Sequence, residues 1–332
     1  MIAGVGYTGS MKARIAAAAA AIVGLVALTA VGHAEPPPGP GPTAPAPDWL
    51  VEGSDQAPGP DELNVRWLGT AGFEIRSARA AILIDPYYSR LPILKLLGGK
   101  VKPDMAAIAR EIHPAQGVFV SHGHFDHLLD APEVARKLNC PLYTSSQGEQ
   151  LAEAEGLPAA LRKPIVDGTH VQVGDLDVEA VQSKHSDMIT QWLAGGEMTA
   201  PAFPMGFTGY KNGPTYGFLI KWRGRTLYHN GTAQIVESAI RGRHADVVLM
   251  CVSGWTATEH LWERVGAALT PRVLVPMHDD DFFKPISEGF VENPLAKRQA
   301  AFEAMRAAMP DTAIVTVGLN GSVRLRGAEP TK

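Results

Sequence analysis

From Leu63 onward the apolar positions fall in short runs bounded by Gly, Pro and Asp, a pattern of strands interrupted by turns. In the first part of the chain these runs cover Asn64 to Leu68, Gly72 to Ile75, Ala81 to Ile84 and Gly117 to Val120. Asp104 to Ile112 and Pro132 to Leu138 then place apolar residues at helical spacing, and Pro141 to Thr144 returns to strand. A second strand-rich half follows through Val171 to Val173, Val178 to Val181, Thr215 to Lys221, Thr226 to His229, Val247 to Cys251 and Val273 to Pro276. A helix is expected over Pro294 to Met309, with strands near Ala313 to Val317 and Ser322 to Leu325. Two strand-rich halves with helices interspersed predict an α/β sandwich in one domain, assigned to residues 61–328, not a doubly wound parallel sheet.

The chain before Leu63 does not follow this pattern. Lys12 and Arg14 precede an apolar run, Ile15 to Val31, followed by Gly32-His33-Ala34. That order of basic, apolar and small residues reads residues 1–34 as a signal peptide, or as an N-terminal anchor that holds the membrane through residues 15–31. The expectation is an exported protein: periplasmic, secreted, or anchored at the outer face of the membrane. Residues 35–60 contain seven prolines before Asp48, at 36, 37, 38, 40, 42, 45 and 47, and are expected to form a semi-rigid tether that buries nothing.

Composition narrows the function. The 332 residues are 45% hydrophobic and 19% charged, enough apolar material for a sizeable core. The balance of 30 basic against 34 acidic residues, a formal charge of −4, argues against a sequence-independent nucleic-acid grip, which needs a concentrated basic surface. Cys140 and Cys251 are the only cysteines; they either pair in an oxidising compartment or remain two buried thiols, and the second reading is preferred.

The chemistry is concentrated in Ser121-His122-Gly123-His124-Phe125-Asp126-His127, just after an expected strand. In an extended segment, His122 and His124 can point the same way, toward one ion. Three imidazoles and a carboxylate within six residues form a donor set suited to Zn²⁺. His185 and His278 also lie at expected strand ends, where sites are commonly built.

Together these residues resemble the metallo-β-lactamase superfamily, over about Leu63 to Leu325. The opening Trp67-Leu68-Gly69-Thr70-Ala71-Gly72-Phe73-Glu74-Ile75 and Ile82-Leu83-Ile84-Asp85-Pro86-Tyr87 is similar to the branch that includes lactonases and N-acylphosphatidylethanolamine phospholipase D. The resemblance implies an αβ/βα four-layer sandwich with a metal site along the edge between two sheets. It also implies that His122, His124 and His185 hold one metal, and that Asp126, His127 and His278 hold a second. The family's bridging Asp, in a Gly-Asp-Thr-like turn, is replaced: aligned on Gly231, Tyr228-His229-Asn230-Gly231-Thr232-Ala233 puts Thr232 there. One firmly held zinc is therefore expected, and two only if His229 or Asn230 compensates.

Bound zinc brings the pKa of its water to about 7, so hydrolysis is the expected reaction. Asp126 is the catalytic candidate, orienting that water and passing a proton to the leaving group. Met188, Trp192, Met198, Phe203, Met205, Phe207 and Tyr210 form a long Gly- and Pro-broken segment, read either as a lid over an apolar substrate or as a loop folded onto the core. Leu91 to Leu97 is a second candidate wall. Asp85, Asp279, Asp280 and Asp281 are candidates for orienting imidazoles, with at least two expected to be solvated surface carboxylates. The leading expectation is a hydrolase of a small-molecule or lipid-like ester, lactone or phosphodiester with an apolar part. Its rivals are an exported β-lactamase and a metal-binding protein without catalysis.

Overall fold

A computed structural model describes residues 44–187 and 191–328. The expected signal or anchor, residues 35–43 of the tether, and Met188 lie outside the described residues, as does the Trp192 side chain. The chain divides into units Met1–His33 and Ala34–Lys332. All fifteen described strands and both hydrophobic clusters lie in the second unit, so it contains what its own folding requires.

The strands form two sheets, the first ordered β1 (Leu50–Glu52), β15 (Ser322–Arg326), β2 (Glu62–Gly69), β3 (Gly72–Arg76), β4 (Ala81–Ile84), β5 (Gly117–Phe119), β6 (Leu142–Thr144), β7 (Arg162–Pro164), and the second β14 (Ala313–Ile314), β13 (Val273–Met277), β12 (Val247–Cys251), β11 (Arg225–Asn230), β10 (Thr215–Trp222), β9 (Leu176–Ser183), β8 (His170–Val173). Each switches from antiparallel to parallel pairing at one strand. In the first sheet it is β4 (Ala81–Ile84), antiparallel to β3 (Gly72–Arg76) and parallel to β5 (Gly117–Phe119). In the second it is β11 (Arg225–Asn230), antiparallel to β10 (Thr215–Trp222) and parallel to β12 (Val247–Cys251). The expected sandwich is thus the observed one.

Strand alternation separates two cores. Ile82, Ile84 and Phe119 face the main core between the sheets, while Leu83, Val118 and Val120 face a second core under the helices of the first sheet. Those helices include α1 (Ile93–Leu97) and α2 (Met105–Glu111). α2 is started by Asp104, whose carboxylate accepts from the Ala106 and Ala107 amides. All five residues of β12 are buried, as expected for a parallel strand covered on both faces.

Two expectations need correction. The folded part begins before residue 61: within the expected tether, Leu50–Glu52 forms β1 and pairs with β15 (Ser322–Arg326), with Leu50 opposite Leu325. No proline lies between Pro47 and Pro58, so the amides of Leu50–Glu52 are available to a sheet edge. The expected helix Pro294 to Met309 is two elements, a 3₁₀ turn at Pro294–Ala296 and α9 (Arg298–Ala308), separated by Lys297 at φ 44°. Cys140 and Cys251 are both buried and unpaired.

Candidate metal centre

The site lies where strands of both sheets end. His122, His124, Asp126 and His127 follow β5; His185 follows β9 (Leu176–Ser183); Thr232 follows β11; and His278 follows β13 (Val273–Met277). Ser121 links the sheets, its carbonyl accepting from the Tyr216 amide of β10 at 2.8 Å. His124 precedes the short helix α3 (Phe125–Leu128), whose single turn points Asp126 and His127 inward, both buried. Gly123 is required here, because a Cβ would stand 2.3 Å from the Lys211 carbonyl oxygen.

Two groups of potential ligands result: His122, His124 and His185 in one, Asp126, His127 and His278 in the other, each with donor atoms within 4.8 Å of one another. Their hydrogen bonds set the imidazole tautomers. Ser121 Oγ donates to Asp85 Oδ2 at 2.6 Å and therefore accepts from His122 Nδ1 at 3.0 Å, leaving the lone pair on His122 Nε2. His124 Nε2 donates to the Ala194 carbonyl at 3.1 Å, leaving its lone pair on Nδ1, 3.1 Å from His122 Nε2. His185 Nδ1 donates to the Ser186 carbonyl at 2.9 Å, and His127 Nδ1 to Asp85 Oδ2 at 2.8 Å, which leaves Nε2 as the acceptor on each. Carbonyls and carboxylates only accept, so these four assignments follow from the partners.

His278 differs. Its Nε2 lies 3.2 Å from Asp126 Oδ2, while its buried Nδ1 has no hydrogen-bond partner among the described residues. Its backbone is left-handed, φ 64°, and its amide donates to the Thr70 carbonyl at 2.9 Å. The Thr70 amide in turn donates to Asp280 Oδ1 at 2.8 Å, and Asp280 forms a buried ion pair with Arg90.

The electrostatics keep the first group ready for a cation. Burial and then neighbouring imidazoles hold His122 well below the usual histidine range. Burial pushes His124 down to about 3 and His185 down to about 4. Burial alone would lower His127, but the Asp85 and Asp126 carboxylates raise it overall. Burial would raise Asp126, yet His127 and His278 outweigh it and hold the carboxyl below its ordinary value, ionised at neutral pH. Neutral imidazoles with lone pairs on a common point fit a divalent cation with nitrogen ligands.

The turn expected to carry a bridging Asp is committed elsewhere. Thr232 Oγ1 accepts from the Ser186 amide at 3.0 Å, steadying the residue after His185. Asn230 accepts from Ser183 Oγ at 2.8 Å and donates to the Thr232 and Gln234 carbonyls, each at 2.7 Å. His229 Nε2 donates to the Ala71 carbonyl at 2.8 Å. His229 joins no His/Cys/Asp/Glu ligand group among the described residues, and the Asn230 side chain is held by Ser183, Thr232 and Gln234. Gly231 packs so closely that a Cβ would meet Ser121 Oγ at 2.5 Å and Asp85 Oδ2 at 2.7 Å.

Of the four aspartates considered for orienting imidazoles, Asp85 does so directly, through His127. The expectation of solvated surface carboxylates is wrong: Asp85, Asp279, Asp280 and Asp281 are all buried. Asp279 pairs with Arg298 at 2.9 Å, and Asp281 accepts from the Phe283 amide at 3.0 Å. Sequence reasoning missed the Ala194 and Ser186 carbonyls, which have no side-chain signature, and Arg90, which lies 190 residues from Asp280. Part of the long segment before β10 is folded onto the core, the second of its two expected readings. Met198 and Tyr210 are buried in the second core, while Phe207 stands 6.1 Å from Phe125, beside the ligands. Leu94 and Leu97 point to solvent and form no wall.

Residues 80–280, which include all six potential ligands, match the model of the β-lactamase superfamily domain. A UPF0173 metal-dependent hydrolase of Desulfitobacterium hafniense is 30% identical over 225 residues, 67% of this chain and 85% of its own length. YhfI of Bacillus subtilis, a metallo-β-lactamase fold protein, superposes with a TM-score of 0.50 at 14% identity, over 79% of this chain and 98% of its own. Igni18, a metallo hydrolase of Ignicoccus hospitalis, gives a TM-score of 0.50 at 16% identity, over 80% and 99%. The strand-end cluster thus lies within the matched region of a shared fold, and the chain belongs to the metallo-β-lactamase superfamily, with the UPF0173 metal-dependent hydrolases.

Proposed function

We propose that this protein is a zinc-dependent hydrolase that holds one ion firmly through His122, His124 and His185 and cleaves an ester, lactone or phosphodiester with an apolar part. The observation that carries this reading is the set of tautomers: each of these imidazoles donates one ring N–H to an oxygen and turns the other nitrogen toward the group. Zinc supplies Lewis acidity and brings the pKa of coordinated water to about 7.

The chain's own residues supply the rest. Asp126, ionised and hydrogen-bonded to His278 Nε2, orients the attacking water, accepts its proton at Oδ2 and returns it to the leaving group. His127, fixed by Asp85, and His278 position that carboxylate; a second ion held there is weaker without a bridging Asp. Phe125 packs against Phe207 at 6.1 Å and Phe282 at 6.3 Å, and Phe282 lies 5.1 Å from the His278 ring. This aromatic wall excludes water and receives the apolar part of the substrate. The Trp67-to-Tyr87 opening supports placement near the lactonase and phospholipase D-like branch, and the Ile15-to-Val31 run supports export.

The test is a panel of zinc-loaded assays: p-nitrophenyl esters of increasing acyl length, acyl lactones, bis-p-nitrophenyl phosphate and nitrocefin. The expected result is hydrolysis in one of the first three classes, with kcat/KM rising with apolar length, abolished by chelation and restored by zinc. Turnover of nitrocefin alone would move the assignment to β-lactam cleavage. A metal-loaded protein inert toward the entire panel would favour binding without catalysis.

A further inference from the structure

Among the described residues four large hydrophobic side chains are exposed, and three of them fall close together in sequence: Leu94 at 78%, Leu97 at 37% and Met105 at 44%. Leu94 and Leu97 share one face of α1, while Leu91 and Leu96, both buried, fasten the helix to the second core. Lys95, Lys100 and Lys102 surround these apolar residues, all exposed. None of the three lysines forms an ion pair among the described residues. No Asp or Glu occurs between Asp85 and Asp104, so this is a local basic patch on a chain of net charge −4. A groove of about 540 Å³ runs between α1 and α2, with the three lysines along it and Leu91, Val101 and Met105 as its apolar lining.

We infer that this face is a peripheral docking surface for a bilayer containing anionic lipid. Protruding leucines rimmed by unpaired lysines match the two layers of such a surface: the apolar side chains enter the acyl boundary while the ammonium groups stay among the phosphates. Three exposed apolar side chains and three lysines are few beside the roughly 20–30 residues a side of a standard protein interface. Its position gives the docking a use. The Val101 amide donates to the Met205 carbonyl at 2.9 Å, and Lys100 bridges to Gly206, so the patch is joined by backbone to the segment that carries Phe207 to Phe125 at the metal centre. An apolar substrate leaving the bilayer would meet the aromatic wall next.

The experiment is vesicle co-sedimentation of the Ala34–Lys332 unit without metal, so that it reads the surface independently of any hydrolysis. Vesicles of phosphatidylcholine alone are compared with vesicles of phosphatidylglycerol and phosphatidylcholine. Preferential binding to the phosphatidylglycerol vesicles is expected. Leu94→Asp with Leu97→Asp should weaken it by about tenfold or more. Each of Lys95→Glu, Lys100→Glu and Lys102→Glu should weaken it by about fivefold or more, with the effect lost at high salt. These side chains already face water, so melting temperatures should stay at the parent value, which separates lost docking from lost folding. Equal binding to both vesicle types, parent-like binding by the leucine pair, or no vesicle binding at all would overturn the inference; the last outcome would leave the face to a protein partner.

Discussion

The two ligand groups have almost the same inventory, three imidazoles against two imidazoles and a carboxylate, but they are prepared differently. In the first, every histidine has its tautomer set by an oxygen acceptor, and burial keeps all three neutral. In the second, only His127 is set in this way, by Asp85, while His278 has an unpartnered Nδ1 and turns Nε2 to Asp126. The hydroxyl of Thr232, at the position where a carboxylate would join the groups, is occupied by the Ser186 amide. Donor count alone therefore does not define a metal site. What sits behind each donor decides whether its lone pair is available, and by that measure the second group is better suited to moving a proton than to holding an ion.

The largest effect should come from Asp126→Asn. If Asp126 works as the base, kcat falls about a hundredfold to ten-thousandfold while the bound zinc is unchanged. A parallel loss of metal would make Asp126 a ligand of the firmly held ion and erase the distinction between the groups.

Thr232→Asp acts in the opposite direction, on the second group. The new carboxylate can accept the Ser186 amide with one oxygen and face the cluster with the other, so calorimetric zinc titration should show a second ion bound about tenfold more tightly or better. An unchanged second affinity would show that the unset His278, not the absent bridge, limits that group.

The smallest effect is on stability against pH. His122, His124 and His185 have folded pKa values below the unfolded value of about 6.5. The unfolded chain therefore binds more protons as pH falls, and the stability these groups contribute is complete above that value and is lost progressively toward about 4 and 3. The urea midpoint of the metal-free protein should drop between neutral pH and pH about 4, less steeply in His124→Ala. A flat midpoint would mean that these imidazoles are not buried as neutral groups.

Legibility in the sequence varied for physical reasons. β12 was found with both boundaries, because an uninterrupted apolar strand between polar turns has no competing reading. β1 was hidden behind a proline-rich approach, although its own residues carry no proline. The helices Ser146–Ala154 and Leu261–Leu269 show no clear helical stripe in the sequence, because alanines and glycine dilute their apolar faces. At the site, the spacing from His122 to His127 was legible because adjacent residues encode it, and His185 and His278 because each follows a strand. Their supporting atoms were not: the Ala194 and Ser186 carbonyls are backbone groups, and the Arg90–Asp280 pair exists only after the two ends of the domain meet.

The assignment of one firmly held ion to His122, His124 and His185 is tested most directly by metal content, measured by inductively coupled plasma mass spectrometry on zinc-loaded, desalted protein, with His124→Ala and His278→Ala alongside. About one zinc per chain is expected, lost in His124→Ala and retained in His278→Ala. Two zinc ions per chain, or one that His278→Ala removes and His124→Ala spares, would contradict that assignment.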